Sequence, residues 1–332
     1  MFQARHSSQD YKNLDSANCK DAWRRWSQKE EIIRLVAALH IHDAEIASIL
    51  HHEPILRHAA VDLAKPAPDR IFNARNSQEW YAHINCCILA SPDRRARLTD
   101  EGAPEAMRCA FTQATSFSAY ADLERLLAAI SEERHSDKLD QAVQSRLTGE
   151  LVEFHQRNLV TLSADVDAFG LHILWHLCFM SLITDFDLFE RAIGRDGKQM
   201  DAADRKSISS WAASRSARRA KVHMQQIQKR LEALPIGLEP TIHVPRAAFL
   251  VAISWYCAFC YMPSNQDRQP TSVEYPELRL LGLDSDVWSH GTGGFLLEIN
   301  DVLCRLADLL QRLGHWEIAR KFAAIIGELV IK

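Results

Sequence analysis

The sequence predicts an all-α protein, an irregular multi-helix bundle. Apolar residues recur three, four and seven apart along most of the 332 residues, the period of a helix with one face against a core. No run of alternating β-branched residues is bounded by turn signals, and no self-similarity appears at a fixed period of about 20 to 50 residues. Strand sheets and solenoid repeats are therefore not expected.

From Trp23, the residues Ile32, Val36, Leu39, Ile46 and Leu50 lay an apolar stripe along one long helix, and Pro54 ends it. His58 to Arg75, with Pro66 and Pro68, reads as a surface loop. Asn76, with Glu79 three residues on, is an N-cap signal, and Trp80, Ile84, Cys87 and Ile88 form the apolar face of the helix it starts. Pro92, Gly102 and Pro104 interrupt the chain before a helix carrying Leu123, Leu127 and Ile130. Another follows through Leu139, Val143, Leu147, Leu151 and Phe154.

Leu171 to Ile193 is apolar nearly all round, which places it at the centre of the bundle, closed by Gly194 and Gly197. From Ser214 to Leu234 the pattern is amphipathic: Ala217, Ala220, Met224, Ile227, Leu231 and Leu234 share one face, and Arg215, Arg218, Arg219, Lys229 and Arg230 lie opposite. Pro235, Pro240 and Pro245 make a stiff connector to an apolar helix over Ala247 to Tyr261. Residues 262 to 294 form the longest irregular segment, and two helices split near Gly314 end the chain.

Composition narrows the class. With 47% hydrophobic and 25% charged residues the chain can build a substantial core. The apolar run from Leu171 to Thr184 is too short to span a bilayer, and Asp10, Lys12, Asp15, Lys20, Asp21 and Arg24 leave no secretory signal in the first thirty residues. An intracellular protein without a membrane partner is expected, its eight cysteines serving as buried thiols. Thirty-nine Lys and Arg against 43 Asp and Glu give a net charge of -4, so tight binding to DNA by this chain alone is not expected.

Four constellations carry potential chemistry. Cys257 and Cys260 form a C-x-x-C inside an aromatic helix without a second ligand pair, which favours packing over a metal. His172 and His176 share a helix face as in an H-E-x-x-H helix, but Ile173 stands where the general base belongs. Histidines bonded at a bundle interface are the plainer expectation, and His40, His42, His51 and His52, which point in different directions on a helix, read as a polar edge rather than ligands. Gly291, Gly293 and Gly294 precede a helix, yet lack the Lys-Ser/Thr of a phosphate loop. The basic face at Arg215, Arg218, Arg219, Lys229 and Arg230 suits a nuclear import signal, a DNA-backbone contact or an acidic partner, with a solvated surface as the plain alternative. No G-x-S-x-G elbow occurs, and Asp185 and Asp187 lack the companion of an aspartate-rich metal motif. Catalytic and cofactor-binding residues are expected to be none.

Three stretches together resemble the fungal-specific transcription factor domain, the regulatory region downstream of zinc-cluster or Cys2His2 zinc-finger modules. The first runs through Trp23-Arg24-Arg25-Trp26, Glu30-Glu31, Arg34-Leu35-Val36, Ile41-His42-Asp43, Glu53-Pro54-Ile55-Leu56 and a Pro68-Asp69 loop ending at Trp80. The second is Trp211 through Ser214 to Arg218-Arg219-Ala220 and His223. The third is Leu303-Cys304-Arg305-Leu306-Ala307 with Gly314, Trp316, Arg320-Lys321 and Phe322-Ala323. The resemblance implies a disordered tail over 1–18 and one helical regulatory domain over 19–331, with the central signature at 19–90 and C-terminal helices at 200–331.

It also implies a nuclear regulator of RNA polymerase II transcription, acting through the transcription machinery, regulatory proteins or an effector, with a homodimer among its arrangements. The zinc module of the family is missing: no six-cysteine cluster exists, and no cysteine pair is followed at finger spacing by a histidine pair. Zinc and DNA contact are thus implied only for that missing module. The chain reads either as a truncated gene product or as a regulator without its own DNA reader; Trp23, Trp26 and Trp80 are candidates to line an apolar end left open, with ordinary core packing the favoured role for each. A helical adaptor unrelated to transcription is the alternative, and a helical enzyme with a metal at His172 and His176 a weaker one.

Overall fold

The computed structural model describes residues 18–56, 63–89, 117–136, 138–162, 167–195, 197, 199–235, 237, 239–263, 275–282, 295–313 and 316–330. Among them are thirteen helices and no strand, so the chain is all-α. They are α1 (Cys19–Leu50), α2 (Asp69–Phe72), α3 (Ser77–Leu89), α4 (Phe117–His135), α5 (Gln141–Asn158), α6 (Leu171–Ile183) and α7 (Phe186–Ala192). Then follow α8 (Ala202–Ala213), α9 (Arg215–Glu232), α10 (His243–Cys260), α11 (Pro276–Leu280), α12 (Phe295–Arg312) and α13 (Glu317–Leu329). The tail before residue 18, the breaks at Pro92, Gly102 and Pro104, and Gly291, Gly293 and Gly294 lie outside the described residues.

Local chemistry sets many of the boundaries. Asp140, Asp201 and Ser214 accept the N–H groups of Val143, Asp204 and Ala217 at 2.8, 2.7 and 3.2 Å, capping α5, α8 and α9. Asn76 Oδ1 accepts from Glu79 N–H at 2.9 Å as its spacing predicts, and Glu79 reaches back to Arg75 N–H at 2.8 Å. The apolar run from Leu171 to Ile193 is two helices rather than one, bent by 82°. Its cause is local: Thr184 is extended, and Asp185 caps a new helix by accepting Leu188 N–H at 3.1 Å. Pro245 belongs to the first turn of α10 rather than to the connector, because N–H groups there have no intrahelical partner to lose.

The main core surrounds α6 and α10. Every residue of α6 from Leu171 to Met180 is buried, and every residue of α10 from His243 to Ser254. α6 packs on α4, α5 and α9, while α10 contacts α6, α7, α8, α9, α12 and α13. α10 is long and apolar enough to cross a membrane, but 78% of it is buried inside the protein. The two central helices approach closely at Gly170, whose φ of 62° places it in the left-handed region. A Cβ there would lie 3.3 Å from His243 Nε2, which donates to the Gly170 carbonyl at 3.2 Å.

The long first helix departs from expectation in its orientation. Ile32, Leu39, Ile46 and Leu50 are exposed, and the face turned inward carries Trp26, Glu30, Ile33, Ala37, Ile41, Ala44, Glu45 and Ala47. Two polar ties made by the inward face explain this. Glu30 and Arg34 clamp the segment before α2: Arg34 donates to Ala67 O at 2.8 Å and Asp69 Oδ1 at 2.7 Å, and Glu30 accepts from Ala67 N–H at 2.8 Å. Arg34 also lies over the Phe72 ring at 4.0 Å, and Asp69 accepts from Phe117 N–H at 3.0 Å. The described part of the stretch read as a surface loop, residues 63–75, is thus pinned between α1 and α4 at Ala67 and Asp69, and it includes α2. Beside it Trp26 and Trp80 meet at 5.7 Å in a small second core with Ile71, Ala74 and Ile84. The side chains of Cys87 and Ile88 lie outside the described residues.

The second tie is deeper. Arg246 of α10 donates to both carboxylate oxygens of Glu45 at 2.9 and 2.5 Å and to Ser48 Oγ at 2.9 Å, with both charged residues buried. The arginine holds Glu45 below the usual carboxylate range against the desolvation that pushes it up. Glu124 of α4, also buried, is pushed well above that range by burial and by the Glu45 charge, so it stands as the neutral acid. It faces the unprotonated Nδ1 of His243 across 3.7 Å.

Removing one partner of such a pair leaves a bare charge inside. Arg246→Met is therefore expected to destabilise the protein by about 3–5 kcal/mol in chemical denaturation, and Arg246→Met with Glu45→Leu to recover much of that loss.

Candidate functional site

α9 carries the five basic residues singled out by the sequence together with a buried histidine. Its inner face is apolar as the spacing predicts, with Ala217, Ala220, Met224, Ile227 and Leu231 all buried. His223 sits among them, and its Nδ1 lies 2.9 Å from His176 Nδ1 of α6. Burial lowers the pKa of both imidazoles, with the opposing histidine adding to the effect at His176. Two neutral rings share that contact as one donor and one acceptor. Glu277 Oε1 stands 3.9 Å from His223 Nε2, so the proton of His223 is best placed on Nε2 and His176 donates. The His223 ring stacks on Phe179 at 4.9 Å.

The five basic residues of α9 do not form one face. Arg215, Arg218 and Lys229 are exposed. Arg219 turns inward: its Nε donates to the buried Glu277 at 2.5 Å, and its guanidinium lies 4.7 Å from the Tyr275 ring and 5.4 Å from Phe179. Burial lowers the Arg230 pKa, opposed by the Asp167 charge. The physical reason is angular: Arg219 and Arg230 lie on the flank of the helix next to the core. The surface that remains for an acidic partner is Arg215, Arg218 and Lys229.

The other constellations resolve into separate contacts. His172 Nδ1 bonds Asp167 at 3.1 Å while His176 bonds His223, so the two do not converge on one point. Cys257 is buried and Cys260 exposed, and burial raises both thiols. Of the six described cysteines Cys304 is also exposed, so not all are the buried thiols expected. His40 is buried, His42 is exposed, His51 lies 2.8 Å from Glu190 and His52 Nδ1 lies 2.7 Å from Glu53 O, so these four histidines do not converge. Among the described residues no group of three or more His, Cys, Asp or Glu is placed to hold a metal.

Two surface depressions, of about 480 and 650 Å³, have linings that mix charged, polar and apolar side chains. One lies between α9 and α12 beside Glu232, Arg305 and Asp308, the other along α8 beside Arg205 and Ser209. Neither includes the histidine or arginine networks. No known protein family, no curated protein and no solved structure matches the chain.

Sequence reasoning missed Glu45, Glu124, His243 and Arg246, and the partners of His176 and Arg219. A signal for one was present: Arg246 is the only charge between His243 and Cys260, and a lone charge in an apolar helix demands a buried partner. Nothing in the sequence names Glu45, 201 residues earlier, as that partner.

Two outcomes follow from these contacts. Burial pulls His243 down from about 6.5 to about 4, so the unfolded chain takes up a proton in that window and the fold does not. Its contribution is complete above about pH 6.5 and is lost as pH falls towards 4; His176 and His223 shift the same way, while the raised Glu124 opposes them. The melting temperature should fall across that window, and His243→Gln should flatten the fall. On the surface, Arg218→Glu with Lys229→Glu should weaken capture of an acidic peptide with the melting temperature unchanged, whereas Arg219→Glu should lower the melting temperature by leaving Glu277 unpaired.

Proposed function

We propose that this chain is the regulatory domain of a fungal-type zinc-finger transcription factor, a helical scaffold that acts in the nucleus by binding regulatory proteins or an effector rather than by catalysis. The observation that supports this is where the residues of the resemblance lie. Glu30, Arg34 and Asp69 of the family signature are joined by hydrogen bonds, and Trp26 and Trp80, fifty-four residues apart, meet in the small core against which Ala67 of that network packs. The second stretch supplies Trp211, which donates to Ile183 O at 3.0 Å, together with Arg219 and His223. Residues that carry the resemblance thus include the ties between helices, where a shared fold would constrain a sequence most.

A net charge of -4 and the shape of the basic patch leave DNA contact to a separate zinc module. Within this reading Arg215, Arg218 and Lys229 serve as the dock for an acidic partner or the import machinery.

The test is a reporter assay with the full chain fused to an unrelated DNA-binding domain. The expected outcome is a change in reporter transcription, in either direction, that Arg218→Glu with Lys229→Glu reduces. A fusion that is folded, present in the nucleus and without effect on the reporter would count against the proposal and favour an adaptor unrelated to transcription.

A further inference from the structure

The outward face of α1 is an apolar stripe of a kind that surface helices do not ordinarily present. Ile32, Leu35, Leu39, His42, Ile46 and Leu50 are exposed and follow one another at three, four, three, four and four, the seam spacing of two helices packed side by side. The exposures of the apolar members run from 43% at Ile32 to 63% at Leu50. Over 18 residues the seam is about 27 Å long. Beyond the helix the chain turns at His51 and folds back, so that Asp43 accepts the N–H groups of Ile55 and Leu56 at 3.1 and 2.8 Å. Ile55, 83% exposed, thereby widens the stripe at the level of Asp43.

We infer that this stripe is the contact between two copies of this chain, paired antiparallel about a two-fold axis at Leu39. This inference is independent of the function proposed above. The pattern is self-complementary in that register. Leu39 meets the Leu39 of a second copy, Ile32 stands opposite its Ile46, and Leu35 lies at the level of its Asp43, where the folded-back Ile55 fills the gap. Charge fixes the direction. The start of α1 presents the exposed Arg24 and Arg25, and its far end presents the exposed Glu53 beside the last carbonyls of the helix. Antiparallel pairing sets the arginines of one copy against the carbonyl end and Glu53 of the other, and a parallel pair would bring the four arginines together. A two-fold contact needs one patch that matches itself, and this one does.

Sedimentation velocity on the full chain over about a hundredfold range of concentration tests the inference. A monomer–dimer equilibrium is expected. Leu39→Glu, which sets two carboxylates face to face on the axis, should give a monomer with unchanged helix content and melting temperature, and Ile46→Lys should do the same with the opposite charge. Arg25→Glu and Glu53→Arg should each weaken the dimer about fivefold, and together restore it. A monomer at every concentration would overturn the inference and assign the stripe to another segment or a different protein. A dimer that survives Leu39→Glu would overturn it as well, and a charge exchange that fails to restore association would overturn the antiparallel pairing.

Discussion

A guanidinium buried at the centre of a helical protein imposes a demand that the rest of the structure has to meet. Arg246 lies in a helix that is otherwise apolar for a dozen residues, and desolvation of its charge is tolerable only if an anion and further acceptors come to it. Glu45 and Ser48 supply them from α1, at the other end of the chain. That requirement fixes the rotation of α1 about its own axis. Once Glu45 faces inward, Ile41 and Ala44 go with it, and Leu39, Ile46 and Leu50 are turned to solvent. A second tie of the same kind, Arg34 with Glu30 and Asp69, sets the rotation at the other end of the helix.

The second carboxyl beside this pair shows how low polarizability is shared out. Two carboxylates near one arginine cannot both be charged at low cost, and the one in direct contact with the guanidinium keeps the charge. Glu124 is left neutral and His243 with it, so four ionisable side chains occupy the interior with a single ion pair among them. The imidazoles of His176 and His223 follow the same logic, held neutral between Trp175 and Phe179 and joined by one proton. These networks join α4 and α1 to α10, and α6 to α9, which apolar packing brings together but does not hold in register.

The surface is the complement of these choices. Each charge recruited inward leaves the outside of its helix to other residues. On α9, Arg219 pairs with Glu277 and the exposed basic patch shrinks to Arg215, Arg218 and Lys229. On α1, Glu30 and Glu45 occupy the inner face and aliphatic side chains occupy the outer one. An apolar stripe in that position is explained by the polar interior, and it is also what makes the helix available to another copy of the chain.

By itself the sequence determined the all-α class, the central position of the run from Leu171 though not its continuation as one helix to Ile193, the Asn76 cap and the inner face of α9, because helix period, caps and continuous apolar runs are local properties. The sequence reading also placed His172 and His176 as hydrogen-bonded histidines at a helix interface, and they bond Asp167 and His223. Tertiary structure alone decided which face of α1 is buried and that Arg219 and Arg246 belong to the interior. The reason is common to both. Periodicity shows that a helix has an apolar side, but a buried charge outweighs that preference wherever a distant partner is there to meet it, and partners 58 or 201 residues away are set by the fold and not by spacing.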